Sequence, residues 1–154
     1  MSHVCSVELQ INDIAALAAA AKRLGLEFRK GQTTFRWYGE WMDDWADPTR
    51  AAAMKGHDPA QFGSCIHALS QVKPTDGNPY EIGVIHSKDG KGYELIYDAW
   101  ASGHGLEARA GQNLKKLRQE YTAEVSAKHL RKQGYAVQRT VDSKGNLIIQ
   151  GIKP

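Results

Sequence analysis

The sequence predicts an α+β domain: a largely antiparallel sheet with two helices on one face, in a ferredoxin-like layering, with an irregular insertion in the middle. Alternating apolar segments come in pairs around short glycine-bearing turns, which is how antiparallel hairpins read. Two long stretches keep a helical period, near 13–24 and 111–133. Between the two halves, residues 39–79 lose periodicity and carry Pro48, Pro59, Pro74 and Pro79.

Residues 3–11, HVCSVELQI, alternate as a strand whose His3, Cys5, Val7, Leu9 and Ile11 share the core-directed face. Asn12 or Asp13 caps an alanine-rich helix with Ile14, Leu17, Ala21 and Leu24 on one side, and Gly25 stops it. LEFRKG and QTTFRWYG read as a hairpin about Lys30-Gly31. Short helical stretches are expected near 48–54 and 59–69. YEIGVIH and YELIYDAW form a hairpin about Asp89-Gly90. A long helix then starts near Gly111, with Leu114, Leu117, Tyr121, Val125 and Leu130 as its buried stripe, and stops at Gly134. YAVQRTV and NLIIQGI make the final hairpin, and both late hairpins are expected to share one sheet with residues 3–11.

With 154 residues, 42% hydrophobic and 24% charged, the chain suits a single domain over 1–154 that buries a core without disulfides or a structural metal. The longest uncharged apolar run, residues 14–21, is far shorter than the roughly 20 residues a membrane helix needs, so no membrane role is expected. MSHVCSVELQ lacks a basic region followed by an apolar one, and Cys5 and Cys65 are the only cysteines. Free thiols and a cytoplasmic location follow, the bacterial host cytoplasm if the chain is phage-encoded. The net charge of +3 does not mark a nucleic-acid binder, so nucleic acid is not favoured as a partner.

Cys5, Cys65 and His67, with His3, are the residues with metal-ligand spacing, because thiolates and imidazoles two apart can each supply two zinc ligands. Burial explains that strand face better, so no metal and no cofactor is expected. Cys65 with His67 or His86 supplies two parts of a nucleophilic site and lacks the third. FRWYGEWMDDWAD places Trp37, Tyr38, Trp41 and Trp45 beside several carboxylates; tryptophans four apart suit a core stripe or partner anchors. Lys115, Lys116, Arg118, Lys128, Arg131 and Lys132, with Glu120 and Glu124 among them, read as a solvated, ion-paired helix surface rather than a nucleic-acid track. Phosphate-loop, HEXXH, G-x-S-x-G and C-x-x-C patterns are absent, so no catalytic residue is assigned.

CIHAL, YEIGVI, DGKGYELIYDAW, LKKLRQEYTAEV and HLRKQGYAV with a closing D-x-K-G hairpin occur in order after the opening MSH and strand. That series resembles the domain family of unknown function that includes the hypothetical chloroplast reading frame thirty-five proteins and many small phage proteins. Residues 39–79, with W-Y-G-x-W and C-x-H-A elements, are similar to the phage-type members. The resemblance implies no activity. With no catalytic constellation in the residues, the expected role is a non-catalytic binding or adaptor protein of a phage or bacterium acting through a protein partner, and the resemblance implies an AAA-type ATPase or a host protein as that partner. The insertion, with Trp37, Tyr38, Trp41 and Trp45, is the expected contact surface. The alternative is a small metal-dependent or nucleic-acid-modifying enzyme, or its accessory subunit, with Cys65 and His67 near the site.

Overall fold

The protein is an α+β fold whose computed structural model describes residues 4–37, 63–87 and 89–153, with side chains from Gln10 onward. Strand β1 (Val4–Ile11) leads into helix α1 (Ile14–Arg23), and β2 (Leu26–Lys30) follows directly. Asp13 caps α1: its carboxylate accepts from the Ala16 amide at 3.0 Å, satisfying a donor that the first helical turn leaves open. Small Ala16, Ala20 and Ala21 are buried beside Leu17, so the helix lies close to its neighbours.

Strands β3 (His67–Gln71), β4 (Ile82–His86) and β5 (Tyr93–Asp98) complete a five-stranded sheet in the order β1-β5-β4-β3-β2, with every neighbouring pair antiparallel. The connection from β1 through α1 to β2 therefore runs from one edge of the sheet to the other. A left-handed turn and the short helix α2 (Leu106–Ala110) lead to helix α3 (Lys115–Lys132), which packs along α1. One core, with Leu17, Leu26, Leu69, Ile82, Leu95 and Leu117, fills the space between helices and sheet. A smaller cluster of Phe35, Ala68 and Ile96 covers the opposite face. Gly83 makes room for it, since a Cβ there would sit 2.5 Å from the Phe35 ring. No helix among the described residues is long and apolar enough to cross a membrane.

Four details correct the sequence reading. The expected hairpin across residues 26–39 does not form: β2 pairs with β3, while residues 33–35 leave the ladder to insert Phe35 under the sheet. Their partner is the chain just before β3, where the Phe35 amide donates to Gly63 O and the Cys65 amide to Thr33 O, each at 2.9 Å. The irregular stretch also ends earlier than residue 79. His67–Gln71 is an interior strand rather than helix, and its polar Gln71 is tolerated there because its amide donates to the carbonyls of Tyr80 and His104, at 3.0 and 2.9 Å.

The last hairpin, β6 (Ala136–Val141) and β7 (Leu147–Ile152), is a separate two-stranded sheet rather than part of the large one. Among the described residues one of its faces is covered, by α3, where Leu130 approaches Gly151. Finally, Leu114, Leu117 and Tyr121 are buried as expected, but Val125 is 37% exposed. Helix α3 serves two neighbours, α1 on one side and the hairpin on the other, and Val125 falls on the flank between them that faces solvent. Leu117→Ala is expected to cost about 2–5 kcal/mol in a denaturant titration. Val125→Ala should cost less than about 0.5 kcal/mol, and a larger loss would return Val125 to the core.

Candidate functional site

The residues singled out by sequence do not come together. Trp37 is half-buried against the Phe35, Ala68 and Ile96 cluster, and its indole lies over Gly63, where a Cβ would be 2.5 Å from Nε1. It anchors the chain where residues 33–37 meet residues 63–65. Tyr38, Trp41 and Trp45 lie outside the described residues, as does His3; Cys5 is placed by its backbone alone, in register with Tyr97.

Cys65 packs on the Phe35 face, where its thiol donates to Gln32 O at 3.1 Å. Burial, reinforced by the Glu81 carboxylate, pushes the thiol up to about 11, so it is protonated at neutral pH and neither a ready ligand nor a nucleophile. His67 belongs to the other face, tilted against Phe28 and Tyr93 with ring centroids 5.1 and 6.2 Å away. Its Nδ1 accepts from the Gly31 amide at 2.9 Å, which leaves the proton of the neutral ring on Nε2. Burial first, then Lys30 and His86, hold it below the ordinary histidine value of 6.5. The sheet thus separates Cys65 from His67. Among the described residues no group of three or more His, Cys, Asp or Glu is placed to hold a metal.

A second region was not visible in the sequence as a unit. Between β5 and α3 the backbone is left-handed at Ala101, Ser102, His104, Asn113 and Leu114, with φ between 46° and 57°. Such conformations persist only where neighbours over-determine them. Here Asp98 accepts from the Trp100 amide at 2.9 Å, and the Tyr97 hydroxyl donates to Glu107 while accepting from the Asn113 amide at 3.2 Å. His104 Nδ1 sits 3.1 Å from the Asp76 carboxylate, and its ring packs 4.3 Å from Tyr80. The pair is an oriented imidazole without a nucleophile: no hydroxyl or thiol is bonded to His104 among the described residues.

The third region is the surface made by α3 and the hairpin. Arg139 of β6 pairs with Glu120 of α3 at 2.5 Å, while on the α1 side of the same helix Arg23 pairs with Glu124 at 2.6 Å and Lys128 with Asp13 at 2.8 Å; of the six basic residues read as an ion-paired surface, Lys128 is the one so paired among the described ion pairs. The outward face of the ribbon exposes Ile148 and Ile152 at 43% each, and Val141 near the turn is 65% exposed. On the covered side, beside β7, lies a cleft of about 530 Å³ lined by Arg118, Gln119, Thr122, Ala123 and Ser126 of α3 and by Leu147 and Ile149. A signal for this surface exists in NLIIQGI, which is apolar in both phases of its alternation, as a strand covered on two faces would be.

No family model, no curated protein and no solved structure matches this chain.

Two measurements check the geometry. In a Cys5→Ser background, iodoacetamide at pH 8 should label Cys65 on the order of a hundredfold more slowly than the unfolded chain, since the thiol is raised from 9.0 to about 11. Equal rates would place Cys65 in solvent. The imidazole of His67 should titrate below 6.5 by NMR. The unfolded state then takes the proton more readily, so His67 contributes stability that is present above pH 6.5 and lost as pH falls through its lower folded value. Replacing His67 with Phe should flatten that part of the stability profile.

Proposed function

We propose that this chain is a non-catalytic binding protein, an adaptor of a phage or bacterium, that acts through a protein partner. The observation that carries the reading is the hairpin. Three of the five exposed large aliphatic residues among those described, Val141, Ile148 and Ile152, sit on this one ribbon. Isolated exposed aliphatics are ordinary, but their concentration on an element packed by one face alone supports a contact surface. The protonated thiol of Cys65 and the lack of a nucleophile bonded to His104 argue in the same direction. The family resemblance supports the phage or bacterial setting and makes an AAA-type ATPase or a host protein the first partners to try.

Pull-down from the native cell, with mass spectrometry and then a measured affinity for the captured protein, tests the reading. Ile148→Asp and Ile152→Asp should each weaken that affinity at least tenfold while leaving the melting temperature within about 4 °C. Trp37→Ala should do the reverse, lowering the melting temperature because its ring is part of the scaffold. The same assay examines Tyr38, Trp41 and Trp45. Ile148→Asp and Ile152→Asp chains that bind like the wild type would remove the outward face of the ribbon as the site.

A further inference from the structure

Around α3 the neighbours follow one another in order. Glu120 faces β6, where it meets Arg139; Leu130 faces β7 at Gly151; and Gln119, Thr122 and Ser126 come next round the helix, past β7, over the cleft. Helix α3 therefore lies over β7 and overhangs its free edge. A helix on a sheet ordinarily covers strands on both sides of its axis, given a helix diameter of about 10 Å and strands about 4.8 Å apart. The cleft is the space where a third strand would lie.

The edge that borders this space is open. Asp142 N donates to Asn146 O at 2.9 Å, which sets the alternation of the ladder. Gln150 and Ile148 then exchange bonds with β6, while the N–H and C=O groups of Leu147, Ile149 and Gly151 point away from it, with no partner strand among the described residues. Natural edges are guarded by lysine, proline or a bulge. Strand β7, LIIQGI, has no charge and no proline, and its register with β6 is unbroken.

We propose that the cleft beside β7 receives an extended, acidic-aliphatic segment of a partner protein as a third strand of the small sheet. The inference rests on the protein-binding reading above and extends the contact from the outward face to the edge. Main-chain bonds to Leu147, Ile149 and Gly151 hold the segment, and its inward aliphatic side chains meet Ala123, Leu147 and Ile149. Its acidity follows from Arg118, whose Nε is buried without a hydrogen-bond acceptor. The first turn of α3 also carries Lys115 and Lys116 and has no acidic residue. A carboxylate in the cleft supplies the acceptor and offsets that charge. A second copy of the chain does not fit: antiparallel pairing through the same edge would set its α3 about 5 Å from this one. Packed helices need 8–10 Å.

The probe is an acetylated eight-residue peptide of alternating valine and threonine with one glutamate near its C-terminus, alongside its glutamine counterpart, added to the full chain. On binding, amide exchange at Leu147, Ile149 and Gly151 should slow at least tenfold more than that of Ile148 and Gln150, which are already bonded to β6 and gain only what the ribbon as a whole gains. Arg118→Gln should weaken the glutamate peptide about tenfold, to the level of its glutamine counterpart. Ser126→Trp, which fills the cleft from an exposed helical position, should abolish binding of both peptides; Gln119→Trp is the substitute should that variant misfold. Ile148→Asp should leave peptide binding intact. Protection without the alternation, binding that survives the filled cleft, or no binding at millimolar peptide would overturn the proposal. The two readings separate on the native partner. Capture lost in Ile148→Asp but kept in Ser126→Trp removes the strand site and leaves the protein-binding reading standing; capture indifferent to both removes the hairpin as the binding surface.

Discussion

The seam between α1 and α3 is the constraint on which the other elements of this structure depend. The Tyr121 hydroxyl, in the middle of α3, accepts from the backbone amides of Asn12 and Asp13 at 3.0 and 3.2 Å, where β1 turns into α1. Asp13 is at once the cap of α1 and the partner of Lys128, which, with the Ala16 amide, holds its carboxyl below the usual range. One turn of chain thus fixes the exit of β1, the start of α1 and the position of α3. With α3 so placed, the core beneath the helices closes over Leu69, Val84 and Leu95, and the second sheet acquires its main support among the described residues.

The entry to α3 shows how much that placement requires. Leu114 is fully buried, yet its backbone is left-handed at φ 57°, a conformation that costs of order 1–3 kcal/mol for such a residue. The strain is offset by burial of the leucine and by the Tyr97 hydroxyl, which receives the Asn113 amide. A chain that only had to link β5 to α3 would not need five non-glycine residues in this region. The turn sets α3 against α1, and His104, Asp76 and Gln71 brace it from the opposite side.

Elements with local signatures were legible in the sequence. The cap at Asp13, the Asp89-Gly90 turn, the long helix and the last hairpin stand close to where periodicity puts them, because each is specified by residues adjacent in the chain. What failed depended on distant partners. The strand HALSQ reads locally as helix and loop because its Ser70 and Gln71 look like surface residues, and nothing local announces that Tyr80 and His104 supply their carbonyls to Gln71. Val125 fits the helical stripe and is still exposed, since the stripe does not say that α3 divides its buried surface between two neighbours. Spacing makes Cys65 and His67 a candidate ligand pair, but β3 begins only at His67, so the cysteine is free to turn to the other side of the sheet. Alternation shows that a hairpin has two faces without showing which sheet it joins, and the cleft beside β7 exists only through that choice.

The isolation of the small ladder also has a thermodynamic meaning. No backbone hydrogen bond among the described residues ties β6 or β7 to the five-stranded sheet, so the ribbon can open and reclose without breaking one rung of the larger ladder. Among the described residues the ribbon meets the rest of the chain chiefly through one side of α3. Two-stranded ribbons are marginal on their own in water. Whatever covers the ribbon lowers its opening frequency, and occupancy at this surface becomes a local stabilisation that the large sheet need not register.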